Sequence, residues 1–221
     1  MRELHPTSGY STAEEIANSI THGVGTALAV VGLTVAVIVA TLRADAALVT
    51  AVAVYGASIL ALYLASTLYH SARNLRWKQR FLVLDHSCIF LLIAGTYTPF
   101  ALGPLRGPTG WTLLGVIWGL AAAGIAREFF ARRRGGVGSA LIYLAMGWLC
   151  LWVIVPLWVN LPRVSFVLLL TGGLFYSVGV IFYLYRRIPY HHAIWHLWVM
   201  GGSVFQYFAV IHFLSHWHHT A

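Results

Sequence analysis

Residues 18–41, NSITHGVGTALAVVGLTVAVIVAT, contain no Asp, Glu, Lys or Arg. At ~1.5 Å rise per residue a helix of that length covers the ~30 Å hydrocarbon core of a bilayer, so the segment reads as a transmembrane helix. Working outward, similar apolar stretches fall at roughly 47–72, 81–102, 111–131, 138–159, 164–185 and 191–215, separated by short charged or Pro/Gly-bearing breaks. Composition agrees: of 221 residues 59% are hydrophobic and 9% charged, against about a quarter charged in soluble domains. The expected fold class is therefore all-α, an integral membrane bundle of seven transmembrane helices forming one domain over residues 1–221. Residues 1–17, MRELHPTSGYSTAEEIA, form a short polar N-terminal segment. That segment has no apolar run before a small-residue cleavage site, so the first span is expected to stay in the mature protein.

The formal charge of +8 does not point to nucleic acid, because the basic residues lie between hydrophobic runs rather than along a soluble face. Topology explains them better. With seven spans, the N-terminal segment and the second, fourth and sixth connections share one side. They carry eleven Lys/Arg: Arg2; Arg73, Arg76, Lys78 and Arg80; Arg127 and Arg132 to Arg134; Arg186 and Arg187. The opposite side carries Arg43, Arg106 and Arg163. The positive-inside rule then places the N-terminus in the cytosol and the C-terminus outside, in a cell inner (plasma) membrane. The two cysteines, Cys88 and Cys150, fall within apolar spans, where packing as small hydrophobes is a better reading than a bridge.

Ionisable groups inside a membrane need protein or water around them, and so they mark function. Glu15, Asn18 and His22 are spaced i, i+3, i+7, one face at the inner end of span 1. Ser66 and His70 lie just before the exit of span 2 at Arg73. Asp85 stands about 7 to 8 Å beyond Arg80 at helical rise, and His192 and His196 occupy the first turns of span 7. Four helices thus deliver polar groups to one depth, which suggests a single site.

Two imidazoles at i, i+4 on a helix can bind one metal ion, and a third from another helix completes the three-ligand set of catalytic zinc, with a fourth position open to water. His70, His192 and His196 fit that need. Asp85 can orient or deprotonate the water, and Ser66, one turn from His70, can donate to the metal-bound oxygen or to a developing oxyanion. Structural readings stand beside these. An isolated H-x3-H pair is often interfacial, and Glu15, Asn18 and His22 either support the ligands from a second layer or simply cap and anchor span 1. His86 and His191 each adjoin a favoured residue and point about 100° away. The tail histidines His212, His216, His218 and His219 have no facing carboxylate and read as solvated. Pro99 in AGTYTPF kinks span 3, with Thr96 or Thr98 bonding the carbonyls it frees. Trp111, Trp158 and Trp217 are interfacial anchors. Spans 4 to 6 carry almost no ionisable groups and read as lipid-facing buttresses.

Four ordered segments, EEIANSITHGVG (14–25), ASTLYHS (65–71), LDHSCIFLLIAGTYTPF (84–100) and HHAIWHLWVMGGSVFQYF (191–208), resemble the signature segments of the bacterial hemolysin III family. That family sits within the progestin and adipoQ receptor superfamily, with the adiponectin receptors and, more distantly, the alkaline ceramidases. The resemblance implies seven helices with the N-terminus inside. It also implies zinc held by His70, His192 and His196, with Asp85 near the metal water and Ser66 as the motif serine. Gln206 departs from the histidine expected at that point in many relatives.

Three functions follow as expectations. The leading one is a zinc-dependent hydrolase of an amide or ester bond in a membrane lipid, taking part in lipid homeostasis. A second is a sensor or receptor-like protein in which zinc clamps spans 2 and 7. A third, a pore-forming cytolysin, follows only from the family name, and a conducting path would need a polar stripe through the full bilayer depth. Membrane lipids are the expected partners and Zn2+ the expected cofactor.

Overall fold

The computed structural model describes residues 8–130 and 135–217; Arg2 and Arg132 to Arg134 of the charge count, and His218 and His219 of the tail, lie outside them. Among the described residues, seven helical spans are long and apolar enough to cross a membrane, as the sequence predicts. They are α1 (Thr12–Arg43), α2 (Ala46–Ser71), α3 (Leu75–Leu102), α4 (Pro108–Phe130), a composite span (Gly136–Asn160), α7 (Arg163–Leu184) and α8 (His191–Ser215). The composite span joins α5 (Gly136–Gly147) through a 3-10 turn (Trp148–Val153) to α6 (Ile154–Asn160).

Hydropathy marks the embedded part of each helix, whereas caps mark its end, and the two differ. Ser11 Oγ accepts from the Glu14 N–H at 3.3 Å and Glu14 Oε2 accepts from the Ser11 N–H at 2.9 Å. This capping box starts α1 at Thr12, so the latter part of the supposed polar segment 1–17 is helical. Likewise Asn74 Oδ1 accepts from the N–H groups of Arg76 and Trp77 at 3.0 and 3.4 Å, starting α3 at Leu75. Arg76, Lys78 and Arg80, read as connection residues, therefore ride on the first turns of α3.

The break in the fifth span has a chemical cause. Pro156 cannot donate to the carbonyl one turn before it, and the Tyr97 hydroxyl of α3 reaches into the preceding backbone. That hydroxyl is shared between the carbonyls of Met146 at 3.0 Å and Gly147 at 2.6 Å, and it accepts from the Cys150 N–H at 2.8 Å. Farther along α3, Thr96 and Thr98 donate to Leu92 O and Ala94 O at 2.8 and 2.9 Å. The carbonyl left free by Pro99 is that of Gly95, so these hydroxyls reinforce the preceding turns rather than replace the lost bond. Cys88 and Cys150 are free thiols.

Helix α3 forms the packing centre, with α2 on one side and α4 on the other. Phe90, fully buried, lies against Gly124 of α4. A Cβ at Gly124 would stand 2.2 Å from the Phe90 ring, and overpacking of this kind typically costs about 1–3 kcal/mol. Gly124→Ala should lower the melting temperature. Gly119→Ala on the same helix, where a Cβ meets nothing within 4 Å, should not, which a paired thermal melt will check.

Candidate metal centre

Helices α1, α2, α3 and α8 bring their polar residues to one end of the bundle, the end at which α1 begins. His70, His192 and His196 are buried, and one ring nitrogen from each lies within 4.8 Å of the others. The surroundings decide which nitrogens face inward. His70 Nδ1 is 2.7 Å from Glu15 Oε2, and His196 Nδ1 is 3.2 Å from Asn18 O and 3.0 Å from Thr21 Oγ1. Thr21 Oγ1 gives its own proton to the carbonyls of Ala17 and Asn18. Both imidazoles therefore donate from Nδ1, which leaves the lone pair on Nε2. Those two Nε2 atoms, and both nitrogens of His192, are buried with no hydrogen-bond partner among the described residues. Orphaned buried nitrogens are costly, and three at metal-ligand spacing fit a cation. Zinc is suited to such imidazole sets.

Glu15 is thus a support of His70 and not a helix cap, a role that falls to Ser11 and Glu14. Its other oxygen, Oε1, pairs with Lys78 Nζ at 2.9 Å and accepts a bond from Ser8 Oγ. Lys78, counted in the sequence among exposed connection charges, is in fact fully buried and also donates to Tyr69 O at 3.0 Å. Its position seven residues before Asp85 puts the two on one face of α3, a spacing that would have flagged it. Asn18 supplies a carbonyl to His196 as above. His22 stacks on His196 with ring centroids 3.5 Å apart and planes 10° apart, and both its nitrogens lack partners among the described residues.

Ser66 and Asp85 are both buried, and the Ser66 hydroxyl lies within reach of the Asp85 carboxylate. Asp85 stands where two cavities meet. One is a largely apolar chamber lined by residues such as Leu92, Phe100, Leu157 and Val199, with His22 at its polar end. The other opens towards the start of α1 between Ser8, Tyr10, His86, Tyr183, Arg186 and His192. Tyr10 covers the centre, its ring centroid 5.0 Å from that of His192. Burial raises the Tyr10 phenol above its usual pKa, so it stays protonated at neutral pH.

Two expectations need correction here. His86 does point away from the three histidines, yet it lines the same opening as Asp85 because Glu128 of α4 draws it there, with His86 Nδ1 3.3 Å from Glu128 Oε2. Glu128 is fully buried and also pairs with Arg127 Nη1 at 3.0 Å, so span 4 is not purely a lipid-facing buttress. His191 bonds the Phe182 carbonyl at 3.1 Å, away from the cluster. At the far end His212 meets Ser165 Oγ at 2.8 Å, and His216 is exposed.

The profile of a family described as haemolysin-III related matches residues 10–207, a range that includes Glu15, Ser66, His70, Asp85, His192 and His196. The chain is 51% identical over 201 residues to Hemolysin-3 of Bacillus cereus, covering 91% of this chain and 92% of that protein. It is 46% identical over 202 residues to the Hemolysin-3 homolog of Bacillus subtilis (strain 168), covering 91% and 95%. The Monocyte to macrophage differentiation factor of Homo sapiens is 31% identical over 174 residues, covering 73% and 69%.

Proposed function

The chain belongs to the haemolysin-III-related family, and from the geometry of its buried histidine cluster we propose that it is a zinc-dependent hydrolase of an amide or ester bond in a membrane lipid. The observation that carries this reading is the convergence of three imidazole nitrogens within 4.8 Å, one of them from His192 in the wall of the polar opening that meets an apolar chamber at Asp85. An acyl chain suits the chamber and a headgroup suits the opening, which sets the bond between them beside Asp85.

When bound, zinc supplies Lewis acidity towards a carbonyl oxygen and towards water. Glu15 and Thr21 hold the Nδ1 protons of His70 and His196 and so keep both rings in register. Asp85, the carboxylate shared by the two cavities, accepts the proton of the attacking water and returns it to the amine or alcohol that departs as the acyl bond breaks. Ser66, within reach of Asp85, donates to the oxygen that gains charge. The eleven-to-three split of Lys and Arg supports a centre at the cytosolic face of the inner membrane, taking lipid from the inner leaflet. Zinc-loaded protein should release fatty acid from one member of a panel of ceramides and phospholipids. Ser66→Ala should slow that release about 100-fold, the scale of one oxyanion donor, with its metal content unchanged. Equal turnover of the whole panel by wild type and His70→Ala would remove the hydrolase reading.

The same convergence of α2 and α8 supports a second reading, a zinc clamp in a receptor-like sensor. Chelation would then lower the melting temperature without any turnover to lose. The name of the bacterial relatives adds a cytolytic reading, but the buried ionisable groups Glu15, His70, Lys78, Asp85, Glu128 and His192 all sit towards one end of the bundle, which does not favour a conducting path.

A further inference from the structure

The polar opening beside His192 carries a cation that the steps above leave unused. The opening has a volume of about 210 Å³, and Ser8, Tyr10, His86, Tyr183 and Arg186 line it, with Asp85 as the one carboxylate in its wall among the described residues. Arg186 stands just past the end of α7 and is exposed. Its guanidinium makes no ion pair or hydrogen bond among the described residues. Tyr10 and Tyr183 both lie within the field of that charge. The acids at the start of α1 do not line the opening and are engaged elsewhere, Glu14 in the capping box and Glu15 with His70 and Lys78.

The two phenols are placed as donors. Tyr183 Oη accepts the Gly136 N–H at 2.9 Å, which leaves its own proton to give. Tyr10 stays protonated, and its hydroxyl has no hydrogen-bond partner among the described residues. The rim is shaped closely around Tyr183 and His86. A Cβ at Gly135, where φ is +72°, would stand 2.6 Å from Tyr183 Oη and 3.2 Å from His86 Cε1, so glycine is what lets the chain pass there. A guanidinium and two O–H donors around one space match an oxyanion with several acceptor oxygens, and the same charge repels a cationic group. Arg186 sits at a helix end, the depth of the headgroup layer of a bilayer. The oxyanion at hand in that layer is the phosphate of a lipid.

We propose that Arg186, with the hydroxyls of Tyr10 and Tyr183, binds the phosphate of the lipid whose acyl chain occupies the apolar chamber, so that the substrate class is a phosphate-bearing lipid and neutral ceramide is a poor substrate. The fate of the bound lipid rests on the hydrolase reading, whereas the binding of phosphate stands on the opening itself. In a glycerophospholipid or a ceramide phosphate the phosphate lies on the headgroup side of the acyl bond. The opening likewise lies on the far side of Asp85 from the chamber.

The test uses full-length, zinc-loaded protein in uncharged maltoside micelles, with ether-linked lipids whose chains no hydrolase of acyl bonds can release. Hexadecylglycerol phosphate should raise the melting temperature saturably. Hexadecylglycerol, which lacks the anion, and inorganic phosphate, which lacks the chain, should each bind about tenfold more weakly or worse. Arg186→Gln should weaken the response to the phosphate lipid about tenfold, the scale of one charge-assisted hydrogen bond, and should melt like wild type without ligand. Arg187→Gln, which removes the adjacent exposed cation outside the opening, should respond like wild type, and so separates this site from the attraction of a basic protein for any anionic amphiphile. An equal response to hexadecylglycerol or to inorganic phosphate, an unchanged response in Arg186→Gln, or an equal loss in Arg187→Gln would overturn the proposal. The hydrolase reading fails separately. A wild type that binds the phosphate lipid yet releases fatty acid from no lipid overturns that reading alone, and one that releases it from ceramide without binding the phosphate lipid overturns this proposal alone.

Discussion

Replacing His192 by alanine should leave the purified protein with essentially no bound zinc, whereas wild type should carry one ion per chain by elemental analysis. The ligand set has three members, and His192 is the one whose two ring nitrogens both lack partners among the described residues. Its removal leaves two imidazoles, too few for the sites that zinc ordinarily occupies. A graded companion is Glu15→Gln. It keeps the ligand atoms but replaces the carboxylate that holds His70 Nδ1 at 2.7 Å, and loss of such a support typically costs 10–100-fold in metal affinity. A wild-type protein without zinc, or a His192→Ala protein that retains it at full stoichiometry, would show that the cluster is not the metal centre.

The second large effect concerns stability. Lys78→Ala should lower the melting temperature by on the order of 10 °C, because it leaves Glu15 buried without its cation. Breaking a buried ion pair from one side typically costs about 3–5 kcal/mol, and in a chain of this size each kcal/mol moves the midpoint by about 2–4 °C. Removing both charges is far milder by the same reasoning, so Glu15→Gln with Lys78→Met should recover most of the loss. If Lys78→Ala melts like wild type, the pair at 2.9 Å contributes nothing, and Glu15 is held by His70 and Ser8 alone.

The histidine cluster and the buried ion pair were unequally legible in the sequence. The seven spans could be read because an apolar run of membrane length suits little besides a membrane helix. The convergence of His70, Asp85, His192 and His196 could be read because helical rise fixes depth even when helix order around the bundle is unknown. Rotation about each helix axis is harder to read. Lys78 looked like a connection charge because Arg76 and Arg80 flank it, and only its register with Asp85 distinguishes it. Glu128 was hidden among apolar residues of span 4, and its partner His86 lies on a different helix. The Tyr97 bonds to the fifth span depend on which side chains face each other across helices, and no local pattern encodes that.

The split of the three histidines between α2 and α8 has a consequence for biogenesis. His70 is exported early, whereas His192 and His196 leave the ribosome last, after every other span. The nascent chain can form the Glu15, His70 and Lys78 brace from its first three helices while still being inserted, but cannot capture an ion in the three-histidine cluster until synthesis is nearly finished. A translation product cut short anywhere before the final helix would therefore have a partly locked early half and no completed cofactor site, a difference by which quality-control proteases could tell it from the finished molecule.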